Sequence, residues 1–195
     1  MDFLIATHNK KKREELHRIL SPLGVNVYLA SEKGIELHEV EETGTTFEEN
    51  AMLKAVSGCK DGNMPCIADD SGLCVDALDG RPGLYSARYH GEETSYPEKI
   101  GFLLDELKDV PYEKRTARFV STVACVFPDG RSFTVRGECE GMIGYEMKGS
   151  NGFGFDPIFM IGDRSFAEFT SEEKDAVSHR GNSLRALAEE LKKYI

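Results

Sequence analysis

The chain has 195 residues, of which 40% are hydrophobic and 30% charged, a composition typical of a soluble globular protein and not of a disordered one. Its 24 lysines and arginines against 34 aspartates and glutamates give a formal net charge of −10, which disfavours general binding to DNA or RNA, because that binding depends on neutralised phosphates. Five cysteines without a CxxC pair predict buried reduced thiols, and the N-terminus shows no signal peptide or transmembrane run, so we expect a cytoplasmic protein.

The first predicted elements are a strand, a polar loop and a helix. Residues 3–6 form an apolar run, the loop from Thr7 to Asn9 interrupts it, and Lys10–Leu20 carries apolar residues at helical spacing. A loop that leads into a helix N-terminus favours anions, because free backbone N–H groups and the helix dipole both point there, and Lys12 adds a full charge. The alternative is that the loop side chains only cap the helix.

An acidic loop and a second helix follow. After a short extended piece at residues 35–40, Glu39, Glu41 and Glu42 bring carboxylates together, either as a solvated loop or as a source of a second metal ligand. A helix is predicted from residue 45 or 46 to about residue 59, because a threonine followed three residues later by a glutamate fits a capping box. Lys54 lies within this helix.

The central stretch is Ile67-Ala68-Asp69-Asp70-Ser71-Gly72. An apolar run ends there in two carboxylates, and residues 73–75 are apolar again, so we predict a strand that stops, a polar turn and a second strand. Since side chains alternate on extended backbone, Asp69 and Asp70 should not be buried in the same core, and at least one should face a cleft. Two interpretations remain open: the aspartates cap a turn, or they bind magnesium through carboxylate oxygens.

The middle of the chain predicts a helix and a long hairpin. Residues 97–107 have helical apolar spacing, and residues 117–127 form the longest strand signal, with both faces mostly covered. The Pro128-Asp129-Gly130 turn joins this strand to a returning one at residues 133–139. A hairpin in a chain that also has strand–helix units predicts an α/β fold with a mixed sheet.

A glycine-rich loop and two helices complete the chain. Residues 149–157 match neither the P-loop nor the GxGxxG pattern, so they form either a loop that holds rings near a ligand or a plain turn. A short helix is predicted at 170–177, and a last helix buries a leucine stripe at Leu184, Leu187 and Leu191. The segment between these helices, residues 178–180, supplies hydrogen-bond donors.

Taken together and in order, these blocks resemble the Ham1 / inosine triphosphate pyrophosphatase family over nearly the whole chain. The blocks are Thr7-His8-Asn9 with Lys12, Glu41-Glu42-Thr43-Gly44 with Thr46-Phe47 and Glu49-Asn50-Ala51, Lys54-Ala55, Ala68-Asp69-Asp70-Ser71-Gly72, Pro82-Gly83 with Tyr85-Ser86-Ala87-Arg88, Gly152-Phe153-Gly154-Phe155-Asp156-Pro157, and Ser178-His179-Arg180.

The resemblance implies one domain over residues 1–195, with a long mixed sheet flanked by helices in two lobes and a nucleotide cleft between them. It further implies a homodimer, while the net charge and the lack of a transmembrane run predict that the protein binds neither nucleic acid nor membrane. The implied reaction is magnesium-dependent hydrolysis of ITP, dITP and XTP to the monophosphate and pyrophosphate.

The resemblance also assigns roles to residues. Asp70 resembles the metal ligand and general base, with Glu41 as the second ligand and Glu42 as the alternative. The phosphate contacts are Thr7, His8, Asn9, Lys12, Lys54 and Ser71. The base pocket is Phe153, Gly154, Phe155, Asp156, Lys174, Ser178, His179 and Arg180.

The chain departs from the family pattern at His8, where glycine is usual, and at Phe155, where tyrosine or tryptophan is usual. Two other functions remain open. One is a pyrophosphatase of similar fold that acts on canonical nucleotides, as in the Maf group. The other is a catalytically silent nucleotide-binding regulator, which the presence of both Asp70 and Glu41 disfavours.

Overall fold

The computed structural model describes residues 1–195 as an α/β fold with one seven-stranded sheet, in the order β2-β1-β3-β4-β5-β6-β7. The strands are β1 (Asp2–Ile5), β2 (Asn26–Leu29), β3 (Cys66–Val75), β4 (Thr116–Val126), β5 (Ser132–Ile143), β6 (Phe159–Ile161) and β7 (Arg164–Ser165). The helices are α1 (Lys10–Leu20), α2 (Phe47–Gly62), α3 (Tyr96–Glu106), α4 (Ser171–Val177) and α5 (His179–Leu191). β1 pairs in parallel with β2 and β3, whereas β6 is antiparallel to β5 and β7, so the predicted mixed sheet is confirmed.

The chain divides into two compact units. The first unit comprises Met1–Asp70, Ser121–Gly137 and Asn182–Ile195, and the second comprises Ser71–Val120 and Glu138–Gly181. Each unit has its own hydrophobic core. The chain passes from the first unit to the second within β3, immediately after Asp70.

The core of the first unit covers both faces of its strands. Along β4, Val123 and Cys125 join a cluster with α1 and α5, whereas Ala124 and Val126 join a second cluster with α2. This alternation confirms the prediction that both faces of the long strand are covered. The first cluster also contains residues from both ends of the chain, Phe3 and Ile5 of β1 and Leu184, Leu187 and Leu191 of α5.

The second unit is built around aromatic and branched side chains. Its single cluster includes Leu73 and Val75 from β3, Ile100 and Leu103 from α3, and Phe159 from β6. The inward side predicted for the helix at residues 97–107 is therefore confirmed, because Ile100, Leu103 and Leu107 are buried and Leu104 is partly buried against the same cluster.

The prediction of a strand that stops at Ala68 is wrong, because β3 runs without interruption from Cys66 to Val75. Its backbone keeps partners beyond the aspartates: the N–H of Leu73 donates to Ser86 Oγ at 2.9 Å, and that of Val75 donates to the Arg81 carbonyl at 3.2 Å. Gly72 permits a close approach there, since a Cβ at this position would lie 2.2 Å from the Gly83 carbonyl oxygen.

Local signals set the helix starts as expected. The Asn9 side chain accepts from the N–H groups of Lys11 and Lys12 and caps α1. Thr46 caps α2 by accepting from the N–H of Glu49 at 3.1 Å, and Thr170 forms a full capping box with Glu173 at the start of α4. The predicted hairpin joins β4 to β5, with the Phe127 N–H donating to the Arg131 carbonyl at 2.9 Å. Residues 35–46 form no helix or strand. Length and hydropathy together rule out a bilayer crossing by any helix of this fold.

Candidate functional site

Asp69 and Asp70 point to opposite faces of β3, as strand alternation predicts. The carboxylate of Asp69 accepts two hydrogen bonds from Lys12 Nζ of α1, at 2.7 and 2.9 Å. The carboxylate of Asp70 lies on the α2 side, where Lys54 Nζ is 3.3 Å from its Oδ1. The charged pairs therefore anchor both helices to the same point of the strand.

The carboxylate of Asp70 is held in an unusual environment. Its side chain is only 11% exposed, and its buried Oδ2 has no hydrogen-bond partner within the protein. Burial raises the pKa of Asp70, and the neighbouring charge of Glu42 acts in the same direction, whereas Lys54 opposes them. An ionised carboxylate with one oxygen unpaired in a buried site is suited to accept a proton or bind a cation.

The residues around Asp70 fit a magnesium ion that brings its own further ligands. Lys54 Nζ also lies 3.4 Å from Glu42 Oε1, so Glu42 and Asp70 share one lysine, whereas Glu41 is exposed on the same loop. The chain has no group of three or more histidine, cysteine, aspartate or glutamate side chains arranged to hold a metal. Magnesium in nucleotide sites is typically bound by one or two carboxylates together with phosphates and water. The two carboxylates of Asp70 and Glu42 therefore supply as many protein ligands as such a site needs.

The loop that carries Glu41 and Glu42 is anchored on α2. The N–H of Gly44 donates to Oδ1 of the buried Asn50 at 2.8 Å, and the N–H of Thr43 donates to the Glu41 carbonyl at 3.0 Å. A Cβ at Gly44 would lie 2.5 Å from Asn50 Oδ1, so only glycine allows this approach. Asn50 belongs to one of the sequence blocks, but sequence reasoning did not identify it as a support of the acidic loop.

The polar loop after β1 takes the capping arrangement in this structure. Thr7 Oγ1 accepts from the N–H of Asn9 at 3.2 Å, and Asn9 Oδ1 accepts from the N–H of Lys11 at 2.9 Å. The phosphate-binding role of Thr7, His8 and Asn9 stays a prediction. Lys12, the predicted charge at this helix, lies in the first turn of α1 and contacts Asp69.

A cavity of about 430 Å³ lies in the first unit beside this loop. It is lined by Thr7 and His8 of the loop, by Lys54 of α2, and by His38 and Glu39 of the segment before the acidic loop. Sequence reasoning missed His38, whose ring Nδ1 is 2.7 Å from Oδ1 of Asp61. These two residues are 23 positions apart, so no local sequence pattern indicates that they pair.

The second unit carries an exposed aromatic ring flanked by cations. Phe153 is 54% exposed, with Lys174 Nζ 4.9 Å and the Arg180 guanidinium carbon 5.5 Å from its ring centre. Lys174 belongs to α4, and Arg180 to the first turn of α5. This arrangement offers a flat apolar surface beside hydrogen-bond donors.

Asp156 organises the glycine-rich loop around that ring. Its Oδ2 accepts from Lys174 Nζ at 2.5 Å and from the N–H of Phe153 at 2.9 Å. The loop closes tightly on this carboxylate, since Gly152 has a φ of +72° and a Cβ there would lie 2.1 Å from Asp156 Oδ2. Gly154 likewise has a positive φ, of +65°.

Other residues predicted for the base pocket are buried in this structure. Phe155 lies in the core with its ring 5.5 Å from that of Tyr96. The Ser178 hydroxyl accepts from the N–H of Gly181 at 3.0 Å and caps α5, and the His179 ring stacks on Phe119 at 4.7 Å. Among the predicted phosphate contacts, Ser71 follows Asp70 on β3 and is half-buried.

The chain is thus an α/β protein with lysine–carboxylate pairs on one strand of its sheet and a cation-flanked aromatic ring on a glycine-rich loop. The model of the Ham1 family matches residues 3–190, and the chain belongs to that family.

Curated relatives and solved structures agree with this assignment. The chain is 48% identical over 187 residues to a dITP/XTP pyrophosphatase of Bacillus subtilis, covering 95% of this chain and 94% of the relative. It is also 48% identical over 191 residues to a dITP/XTP pyrophosphatase of Mycobacteroides abscessus, covering 96% and 93%. The structure of the Staphylococcus aureus Ham1 protein matches with a TM-score of 0.91 and 38% identity over 100% of both chains.

Proposed function

We propose that this protein is a nucleoside triphosphate pyrophosphatase that hydrolyses dITP, ITP and XTP to the monophosphate and pyrophosphate, and so removes non-canonical purines from the nucleotide pool. The observation that carries the proposal is the buried Asp70 carboxylate, with one unpaired oxygen, beside Lys54 and Glu42. Full-length relatives at 48% identity bear the name dITP/XTP pyrophosphatase, which supports the substrate class.

The first unit supplies groups for the phosphates. Lys12 and Lys54 are point charges that attract phosphate oxygens, and each is held in place by an aspartate of β3. Asp70 and Glu42 would hold a magnesium ion, which when bound neutralises charge on the phosphates and the leaving pyrophosphate. The shared lysine favours Glu42 over Glu41 as the second carboxylate.

Asp70 also has the properties of a proton acceptor for the attacking water. The reaction places water on the α-phosphorus, and the proton that leaves this water needs a base within hydrogen-bond reach. An aspartate with an ordinary pKa is a weak base at neutral pH, and the burial that raises the pKa of Asp70 makes its carboxylate a stronger one. Its unpaired Oδ2 is the atom available for this proton.

The second unit supplies groups for the base. The exposed face of Phe153 can stack on a purine, while Lys174 and Arg180 beside it carry only donors. Donors pair with the 6-oxo group of hypoxanthine or xanthine. They do not pair with the 6-amino group of adenine, which would leave these donors without a partner on the base, so this chemistry selects against ATP.

A panel of nucleotides tests this proposal. ITP, dITP, XTP, ATP, dTTP and UTP are incubated with the protein, with magnesium or with a chelator, and pyrophosphate and orthophosphate are measured separately. We expect pyrophosphate from the 6-oxo purines only, and only with magnesium. Preference for dTTP or UTP would favour the Maf-like alternative, and nucleotide binding without turnover would favour the silent regulator.

Two further parts of the proposal rest on the family resemblance. We expect a homodimer, which light scattering at micromolar concentration checks. Twice the chain mass would support the dimer, and a mass equal to one chain would contradict it. We also expect the protein in the cytoplasm, where the nucleotide pool lies, and fractionation of cells with an antibody against the chain checks this location.

A further inference from the structure

The cavity of the first unit contains a histidine to which the proposed function gives no role. His38 lies in the segment before the acidic loop, and its neighbours across the cavity are Thr7, His8 and Lys54. These three residues are proposed phosphate contacts, so His38 lines the same cavity as groups that meet the triphosphate.

Asp61 of α2 fixes His38 through two hydrogen bonds. The backbone N–H of His38 donates to Asp61 Oδ2 at 2.9 Å, and the ring Nδ1 lies 2.7 Å from Asp61 Oδ1. The Asp61 side chain is only 11% exposed, so the carboxylate is a firm support. The backbone N–H of His38 lowers the pKa of Asp61, which keeps this carboxylate ionised and accepting near neutral pH.

This pairing decides which ring nitrogen is left for a ligand. A carboxylate only accepts hydrogen bonds, so Nδ1 carries the hydrogen and Nε2 is free to meet a group in the cavity. A carboxylate that orients a histidine in this way is a recurring device for presenting the opposite nitrogen to a ligand. The His38 ring is therefore held in place for binding, although most of its surface is exposed.

The lining of the cavity has more basic than acidic side chains, which favours an anion. His8, His38 and Lys54 are basic and Glu39 is the one carboxylate, whereas the carboxylates that pair with His38 and Lys54, which are Asp61, Asp70 and Glu42, are not part of the lining. Its volume of about 430 Å³ falls within the range of small-molecule sites. The proposed reaction generates two anions, the monophosphate and pyrophosphate, and only the second lacks a nucleoside.

We propose that His38, oriented by Asp61, is a binding contact for the pyrophosphate leaving group. As an imidazolium it keeps Nδ1–H on Asp61 and donates Nε2–H to a phosphate oxygen, next to Lys54. The inference rests on the proposed function, because that function supplies the pyrophosphate. It adds a residue specific to the leaving group, as opposed to the nucleoside or the α-phosphate.

Calorimetric titration with pyrophosphate and separately with IMP, at fixed magnesium concentration, tests the inference on the whole protein. We expect His38→Ala to weaken pyrophosphate binding about tenfold and to leave IMP binding unchanged, as loss of one charged hydrogen bond implies. Asp61→Asn keeps an acceptor for the backbone N–H but removes the charge that pairs with the ring. We therefore expect it to weaken pyrophosphate binding less than His38→Ala does. His17→Ala is the matched control, because His17 is an exposed histidine of the first unit that does not line the cavity.

Three results would overturn the inference. They are pyrophosphate binding by His38→Ala as tight as that by His17→Ala, an equal loss for pyrophosphate and IMP, and no pyrophosphate binding by the unmodified protein. The titration needs no turnover, so its outcome is separate from that of the nucleotide panel. A protein that binds pyrophosphate through His38 but cleaves no nucleotide would refute the proposed function alone.

Discussion

Each of the two units contains a partly buried lysine–aspartate pair, and the two pairs differ in how many hydrogen bonds the carboxylate accepts. In the second unit, Asp156 is 4% exposed, lies 2.5 Å from Lys174 and also accepts a backbone hydrogen bond. In the first unit, Asp70 lies 3.3 Å from Lys54 and keeps one buried oxygen without a partner.

This difference separates a structural carboxylate from a reactive one. A carboxylate whose most buried contacts are a lysine and a backbone N–H, as at Asp156, contributes to the local fold, and removing such a buried charge partner costs several kcal/mol. A buried charge that is incompletely paired is costly for the fold and persists where a ligand or a reaction uses it. The same two residue types thus build a loop in one unit and a candidate reaction centre in the other.

The sharpest way to break this comparison is Asp70→Asn. Asparagine keeps the shape but removes the charge and the base, so we expect turnover of ITP to fall by about 100-fold or more, within the range of general-base effects. The melting temperature should stay the same or rise, because a buried unpaired carboxylate oxygen is replaced by a neutral group. Both quantities are measured on the same preparation, and near-normal turnover in a folded variant would leave Asp70 a structural residue like Asp156.

The second variant, Asp156→Ala, should show the opposite balance. Removing this carboxylate leaves Lys174 buried without its partner and frees the N–H of Phe153, so we expect the free energy of unfolding to fall by about 3 kcal/mol. Urea denaturation measures this change. The control is Asp105→Ala, an exposed aspartate 3.7 Å from Lys108, which should change the same quantity by less than about 1 kcal/mol. Equal losses from the two variants would contradict the structural role of Asp156.

Arg180→Ala tests whether the second unit selects the base. The guanidinium lies over Phe153 and has only donors, so its loss should harm 6-oxo purines more than ATP. We expect the ratio of kcat/KM for ITP over ATP to fall about tenfold, which corresponds to one lost charged hydrogen bond. Steady-state kinetics on both nucleotides measure this ratio, and an unchanged ratio would assign Arg180 to a role shared by all nucleotides.

The smallest expected effect concerns a third kind of pair, on the surface of the second unit. Hydrogen bonds from Arg164 and from the N–H of Thr170 lower the pKa of the Glu173 carboxyl to about 2 from its usual 4.5. A depressed pKa means that the pair stabilises the fold above about pH 4.5 and that this contribution is lost as the pH falls towards 2. The wild type should therefore melt at a higher temperature than Glu173→Gln at pH 7, and this difference should disappear as the pH falls from about 4.5 towards 2. A difference that stays constant with pH would contradict this role of the pair.

Local sequence signals predicted much of the fold. Thr46 and Thr170 start their helices as the capping pattern indicates, and the turn at Pro128 to Gly130 joins two neighbouring strands. Such features depend on residues a few positions apart. The error at β3 arose because aspartates are disfavoured in strands, while the lysines that accommodate them belong to other elements.

The site was harder to predict than the fold because its contacts join distant positions. Lys12 meets Asp69 57 residues away, and His38 meets Asp61 23 residues away. A glycine-rich loop with two phenylalanines does not indicate which ring is exposed, and Phe153 lies on the surface while Phe155 lies in the core. The carboxylate Asp70 was identified from sequence, but its unpaired oxygen is visible only in three dimensions.

The packing of β1 and α5 in one core has a consequence for synthesis on the ribosome. Phe3 and Ile5 are made long before Leu184, Leu187 and Leu191, which complete their cluster. At about 5–20 residues per second, the first strand waits roughly 10 to 40 seconds for that helix. All segments of the second unit are made within that interval, whereas the unit that carries Asp70 is completed only after α5 has been made.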